Sequence, residues 1–428
     1  MKHKKLILFP ILLGNAFEVY NFILFGVFSV TLAKVFFPSN DPFYSFLGSL
    51  GAFSASFLSR PLGAAFFGYI GDTLGRKNAL ILSMSLGSIP MLLIGITPSY
   101  ETIGIFAPCF VILMRLIQGL TYGGECSGVG IFMLEHLSSQ KTRFFSGLLG
   151  GIISSSSNIG VLTAILMCKS VFYFENISWI WRIPFIFGAL IGFVSFYMRF
   201  KTTETPEFQE MNIHSRKHIS FTQILKSYPK SSLACFFMGA LLPCLSYSSI
   251  GFLKIYMAKY SNIPPDQTIN FYLYGVVLVI ITCPIFGLIG DYCDRRGYFA
   301  MAILGIFVST PLAFYLLQEK TNLSMTLAHL LIALSYSSIY GPYHAFLQRL
   351  FPAEVRYRGI SISYCAGGAT IASIAPMIML FIIEKTGNLN IPVFFICANA
   401  LFLLIAIINL GTISYEPKKL DELFQKTL

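Results

Sequence analysis

Apolar residues in this chain do not alternate with polar ones. They run on for twenty residues and more, and brief polar segments separate the runs. Six windows contain no Asp, Glu, Lys or Arg: Asn78–Tyr100, Phe144–Cys168, Gln267–Gly290, Gly297–Gln318, Gly359–Ile383 and Thr386–Tyr415. A helix needs about 20 mostly apolar residues to cross the hydrocarbon of a bilayer. With the runs that carry one or two charges included, the pattern predicts twelve spans. Their cores lie at 8–36, 44–70, 78–97, 103–133, 145–168, 180–199, 231–258, 269–290, 299–317, 325–349, 359–383 and 391–414. Open strands would leave backbone groups unpaired in lipid, and the runs lack the alternation of a barrel. The expected fold class is therefore an all-α membrane protein.

Composition agrees. Of 428 residues, 55% are apolar and 11% charged; soluble domains carry about 25% charged residues. The net charge of +11 reads as loop charge that fixes topology, because no basic stripe with interleaved aromatics lies outside the apolar runs; no nucleic-acid partner is expected. The nine cysteines are scattered, without C-x-x-C or paired Cys/His spacing, so neither a disulfide framework nor a metal site is expected. The start, MKHKKLILFPILLG, has a basic and an apolar region like a signal peptide, but no A-x-A-like site follows. It reads as an uncleaved first span.

Direction follows from Lys and Arg. With the amino terminus inside, cytoplasmic segments hold 21 of the 30 and external segments six, while Arg60, Arg115 and Arg182 fall within spans. The bias predicts both termini in the cytoplasm. Arg199 is counted with the cytoplasmic linker in this scheme.

Two short charged knots stand out. GYIGDTLGRKNA (Gly68–Ala79) follows the second span, and GLIGDYCDRRGYFA (Gly287–Ala300) follows the eighth, 219 residues later. RFFSGLLGG at the start of span five and RYRGISISY at the start of span eleven form a second echo. The chain thus divides into residues 1–199, a polar linker 200–230, and residues 231–428. Parallel halves of six spans are a known transporter plan, with substrate near the midplane.

Further motifs are GNAFEVYNF in span one, FFPSNDP after it, RPLGAAFFGYIGD, RLIQGLTYGGE in span four, WRIPF, ETPEFQE in the linker and LFPAEVRYRGISISY before span eleven. Together with the first knot they resemble the metabolite:proton symporter branch of the major facilitator superfamily, whose carriers move proline/betaine, α-ketoglutarate, citrate or shikimate. The resemblance implies two pseudo-symmetric six-helix bundles, alternating access, a small-molecule substrate with protons as partner, a monomer in the bacterial cytoplasmic membrane, and no cofactor. Where the branch has an aromatic and then an Asp in span one, this chain has Val19 and Asn21.

The knots read as a gate on the cytoplasmic side: Asp72 can accept backbone N–H bonds at a neighbouring helix end or pair with a basic residue. Arg76 and Lys77 complete the first copy; Asp291, Arg295 and Arg296 complete the second. Asp294 stands where the first copy has Gly75, so a weaker second hold is expected. Charges within spans are costly, about 2.5–3.5 kcal/mol each at mid-helix on insertion scales, and are not expected to face lipid. Arg115 and Glu125 are ten residues apart on span four, about 15 Å, and cannot pair directly; Glu18 is a candidate partner for Arg115. Arg115 suits a substrate carboxylate. Glu18 and Glu125 are candidate proton carriers, since a carboxyl in a dry apolar cavity resists ionisation. Asn21 and Gln118 lie near them as polar candidates. Arg60 is expected to pair with acidic groups or carbonyls, and Lys254 to reach the interface.

Tyr336 and Tyr340, one turn apart on span ten, suit either helix packing or a cation–π cavity wall. His329 and His344 on the same span suit a hydrogen-bonded structural role or a proton relay. Gly119, Gly123, Gly124 and Gly128 form small-residue ridges on span four for close helix approach. Pro90, Pro243, Pro284, Pro311, Pro342 and Pro376 are candidate bends. The expected function is proton-coupled symport of a small carboxylate-bearing metabolite. A passive facilitator or exchanger of the same fold, and a membrane nutrient sensor, are the alternatives. Motifs for a zinc or serine hydrolase or a P-loop are absent, so no enzyme activity is expected.

Overall fold

The computed structural model describes residues 2–40, 42–136, 145–173, 179–210, 221–247, 253, 256–257 and 265–410. Lys254 lies outside them, as do the carboxy-terminal tail and the 211–220 part of the linker. Among the described residues there are helices and no strands. This is the outcome expected of backbone that must satisfy itself within lipid.

Among the described residues ten helices are long and apolar enough to cross a membrane; Pro42–Thr73 and Pro229–Tyr247 complete the twelve spans. In chain order they are span one, Lys2–Val27 continued by Ser29–Phe36; span two, Pro42–Thr73; span three, Arg76–Ile96; span four, Phe106–His136; span five, Ser146–Tyr173; and span six, Arg182–Phe200. Span seven contains Pro229–Tyr247, span eight is Pro265–Tyr292, and span nine is Arg295–Gln318. Span ten is Asn322–Tyr340 with Tyr343–Gln348. Span eleven is Arg356–Gly367, a π turn at Gly368–Ala372, and Ala375–Thr386. Span twelve is Ile391–Ile408.

Spans ten and eleven are less continuous than the apolar pattern suggests. Span ten breaks at Gly341-Pro342, where the missing proline N–H and the ring interrupt the ladder. Span eleven carries the π turn, which hydropathy does not register. Pro90, Pro243, Pro284 and Pro311 sit inside continuous helices.

The helices pack by one rule in both halves. Span one lies against five and six, two against four, and three against four and six; seven lies against eleven and twelve, eight against ten, and nine against ten and twelve. Adding six to each number of the first set gives the second, so the fold repeats as well as the sequence. The halves meet where span two packs on eleven and span five on eight, a reciprocal pair. Apolar residues follow: Phe67, Ile70 and Ile131 of the first half join the core cluster of the second.

The glycines of span four make this packing close. A Cβ on Gly119 would strike Ser56 and Ser59, and one on Gly123 would strike the Arg60 carbonyl and the Ala64 nitrogen. From the other side, a Cβ on Gly63 would strike the Leu120 carbonyl. Gly124 faces the Phe67 ring and Gly128 the Tyr357 hydroxyl. Backbone cannot yield as a side-chain tip can, so a larger residue must separate spans two and four. Overpacking of this kind costs about 1–3 kcal/mol. Gly123→Val is expected to lower the thermal unfolding midpoint in detergent clearly, while Gly305→Ala, where a Cβ meets nothing within 4 Å, leaves it unchanged. Equal midpoints for the two variants would contradict close packing at Gly123.

Candidate functional site

The two knots lie on one face, here the basic face, and each holds a helix of the other half. Asp72 is 1% exposed at the end of span two. Its Oδ1 accepts from the Tyr357 N–H (3.2 Å) and its Oδ2 from the Arg358 N–H (3.1 Å), the free donors at the start of span eleven. Helix starts have unpaired N–H groups and a positive dipole end, so a carboxylate there is doubly favoured. Arg358 Nε (2.9 Å) and Arg76 Nη1 (2.9 Å) complete its shell. Arg76 crosses the seam as well, donating from Nη2 to the Ala353 carbonyl at 2.7 Å.

Asp291 repeats the arrangement at the end of span eight. Its two oxygens accept from the Gly147 and Leu148 N–H groups (2.7 and 2.8 Å) at the start of span five. Arg295 donates to Ser146 Oγ (2.8 Å) and the Ala345 carbonyl (3.0 Å). The sequence echo at the starts of spans five and eleven thus marks the two helix ends that the aspartates cap. Asp294 does not touch the seam. It caps its own span nine by accepting from the Gly297 N–H at 2.8 Å, so its replacement of Gly75 leaves the geometry of the Asp291 cap intact. The second knot differs in having fewer ionic partners. Arg295 stands 3.8 Å from Asp291.

Lys77 and Arg296 contribute less to the seam. Lys77 offers its backbone N–H to Glu204 of the linker (3.1 Å), and its ammonium lies over Phe200. Arg296 is half-buried and enters no hydrogen bond across the seam among the described residues. Three acids not singled out from sequence reinforce the first knot. Glu135 is fully buried and meets Arg356 (2.9 Å), Arg76 (3.5 Å) and the Thr205 hydroxyl (2.8 Å). Glu207 pairs with Arg356, and Glu204 caps the start of span three. The linker motif ETPEFQE therefore clips the two halves together.

Away from the knots, Arg115 and Glu125 find partners within the first half. Arg115, fully buried, donates to Gln118 Oε1 (2.8 Å) and Ser56 Oγ (3.1 Å), with its guanidinium 4.5 Å from the Phe25 ring centre. Gln118 passes the chain on to Asn21 Oδ1 (2.7 Å), and Asn21 donates weakly to the Gly87 carbonyl (3.4 Å). The expected Glu18 contact is thus replaced by an amide relay, because Gln118 lies one turn from Arg115 on the same helix face. Glu125 pairs with Arg199 at 2.5 Å and accepts from Ser83 at 3.3 Å. Arg199 is 2% exposed within span six, so its placement in the cytoplasmic linker is corrected. It closes the last turn of the span and reaches inward to its acid. Arg60 lies over the rings of Phe22, Phe57 and Tyr122, at 4.3, 4.0 and 4.1 Å, in an aromatic cage.

Glu18 is different. It is 4% exposed, and its Oε2 has no hydrogen-bond partner among the described residues. The charges that act on it are Glu125, Arg199 and Arg60. The neighbouring polar groups of span one are taken: Asn15 donates to the Ile153 carbonyl and to the hydroxyls of Ser156 and Ser157. That serine run, Ser154–Ser157, also ties span five to the second half, through Ser154 to the Tyr340 carbonyl and Ser155 to the Ile280 carbonyl (2.7 Å).

The second half faces the seam with aromatic rings. Tyr336, Tyr340 and Tyr343 stack in sequence at 4.7 and 4.8 Å, with ring planes 23° and 15° apart. Tyr336 also lines a cavity with Asn158, Ser246, Tyr272 and His329. His344 packs on Tyr343 (3.9 Å) beside Gly130.

Comparison with known proteins agrees with this architecture. Residues 11–376 match the pattern of the Major Facilitator Superfamily. The proline/betaine transporter of Escherichia coli K12 is 27% identical over 417 residues, covering 95% of this chain and 83% of that protein. The citrate-proton symporter of Klebsiella pneumoniae is 30% identical over 388 residues, covering 89% and 85%. The solved structure of the proton:xylose symporter XylE bound to 6-bromo-6-deoxy-D-glucose superposes with a TM-score of 0.73 at 13% identity, with 95% of both chains covered; at that identity the likeness concerns the fold. This chain belongs to the major facilitator superfamily of membrane transporters.

Proposed function

We propose that this transporter is a proton-coupled symporter of a small carboxylate-bearing metabolite, working by alternating access. The observation that carries the reading is the reciprocal pair of caps, Asp72 on span eleven and Asp291 on span five. Both must release together before the basic face opens, which is what a two-state rocking mechanism requires. We take that face as cytoplasmic, in keeping with the Lys and Arg bias, and the membrane as the bacterial inner membrane. The chain acts as a monomer of two bundles, 1–199 and 231–428, joined by the linker 200–230.

Glu18 is the better proton carrier of the two candidates. Glu125 has the Arg199 guanidinium against Oε1 and the Ser83 hydroxyl on Oε2, whereas Glu18 Oε2 has neither an ion-pair nor a hydrogen-bond partner among the described residues. An ionised oxygen in that state is poorly solvated, and a proton relieves the cost. Arg115 is a positioning charge that fixes Gln118 and Asn21. A membrane potential of 100 mV supplies about 2.3 kcal/mol per proton, enough to concentrate a substrate tens-fold.

Uptake into proteoliposomes with an imposed inward pH step tests this reading, with labelled citrate, L-proline and glycine betaine as probes. Accumulation above the external level that collapses on adding a protonophore is expected; equilibration that ignores the protonophore would instead mark a facilitator. Glu18→Gln is expected to reduce proton-driven accumulation at least about tenfold while sparing counterflow in preloaded liposomes. Loss of both activities in a correctly inserted variant, or of neither, would remove Glu18 from the coupling role.

The latch has its own test. A change of about 1.4 kcal/mol shifts a two-state balance tenfold, and a hydrogen bond to a charged group contributes about 1.5–3 kcal/mol. Asp72→Asn is expected to insert normally, to slow uptake at least about tenfold, and to speed N-ethylmaleimide labelling of Cys365, which the seam now buries to 3% exposure. Unchanged uptake and labelling would count against a latch.

A further inference from the structure

We propose that His329 is a substrate-binding residue whose Nε2 receives a hydrogen bond from an N–H or O–H of the transported metabolite. The inference rests on the symport reading above and narrows its substrate class to amino acids and hydroxy acids.

His329 belongs to span ten and is 3% exposed. Its Nδ1 lies 2.9 Å from the Met325 carbonyl one turn back. A carbonyl oxygen only accepts, so the bond assigns the ring hydrogen to Nδ1. In the neutral ring Nε2 is then a lone-pair acceptor. That acceptor is buried and has no hydrogen-bond partner among the described residues. Nor is the ring merely wedged in apolar packing. It lines a cavity with Asn158, Ser246, Tyr272 and Tyr336, so that spans five, seven, eight and ten all contribute and the two halves share the wall. The far side of the ring rests on Phe271, 5.9 Å between centres.

The cavity's chemistry points to one ligand class. Its polar lining groups, Asn158, Ser246, Tyr272, His329 and Tyr336, carry no formal charge. They recognise a ligand by hydrogen bonds and ring contact. Tyrosine faces accept a cation, but an acceptor nitrogen needs a donor opposite it. A fully methylated ammonium has neither N–H nor O–H to offer. An amino or hydroxy group beside a carboxylate has one. A site built around a hydrogen bond rejects a ligand lacking it far more strongly than an apolar pocket rejects a missing methylene.

Proteoliposome uptake decides the matter with three probes: L-proline, which has an N–H donor, citrate, which has an O–H donor, and glycine betaine, which has neither. The wild-type chain is expected to prefer L-proline or citrate over glycine betaine. His329→Leu is expected to raise KM for the preferred probe about tenfold or more with little change in turnover, and His329→Gln, which restores an acceptor, to recover most of that loss. Preference for glycine betaine, or an unchanged KM in His329→Leu, overturns the inference. If the wild-type chain takes up none of the three, the carboxylate reading fails by itself, and diethyl pyrocarbonate decides the status of His329. That reagent modifies an unprotonated, unblocked ring nitrogen. Modification of His329 in the membrane-embedded protein, mapped by mass spectrometry, supports a ligand-facing Nε2; an unmodified His329 beside modified histidines elsewhere overturns it.

Discussion

A carboxylate set against the open end of a helix from the other half joins the two halves at the basic face, and the gate proposed above depends on it. Asp72 holds span eleven and Asp291 holds span five, each through two backbone N–H groups. A helix start offers donors that its own ladder cannot use, and it carries the positive end of the dipole. Each aspartate therefore satisfies groups that are costly to bury unsatisfied, and it does so only while the halves are together. The bonds are directional, so a small rotation of one half breaks both N–H contacts of a cap at once. The linker acids Glu204 and Glu207 add further ties on the first knot alone. The two sides of the latch are thus alike in plan and unequal in ionic support.

The halves divide their chemistry. The first half buries Glu18, Arg60, Arg115, Glu125 and Arg199 and neutralises most of them with amides, acids or ring faces. The second turns tyrosines and two histidines toward the seam. A buried ion pair such as Glu125–Arg199 adds little net stability, but losing one partner is strongly destabilising. Such pairs fix how helices sit against each other. Glu18 Oε2 and His329 Nε2 are among the buried side-chain atoms without a hydrogen-bond partner among the described residues. One belongs to each half, and both are on spans that reach the middle of the molecule.

Much of this was legible in the chain. Long uncharged runs give the spans, because lipid leaves the backbone no alternative. The recurrence of Asp72 and Asp291 at matching places, and of the segments that open spans five and eleven, marks the two aspartates and the helix starts they meet. The glycines of span four sit where a Cβ would strike neighbouring atoms. Other features have no local signature. Arg199 sits at the end of an apolar run, where charge counting assigns it to a loop; only the fold brings Glu125 to it. Gln118 intercepts Arg115 because it lies one turn away on the same helix, a contact that competes with any partner on span one. The Phe22, Phe57 and Tyr122 cage around Arg60 draws on three spans and is invisible in a chain where aromatics are everywhere. The break at Gly341-Pro342 is marked by its residues, but the π turn after Gly367 is not.

If the two aspartate caps hold the basic face shut, removing both must open it. The most direct measurement is the distance across that face by electron–electron double resonance. Spin labels at the exposed positions Leu74 and Tyr292, ends of spans two and eight, would be placed in a chain with its native cysteines replaced, in lipid nanodiscs. One dominant short distance is expected with both aspartates present, and a second, longer population of comparable size in the Asp72→Asn/Asp291→Asn variant. A distance distribution that the double substitution leaves unchanged would contradict it.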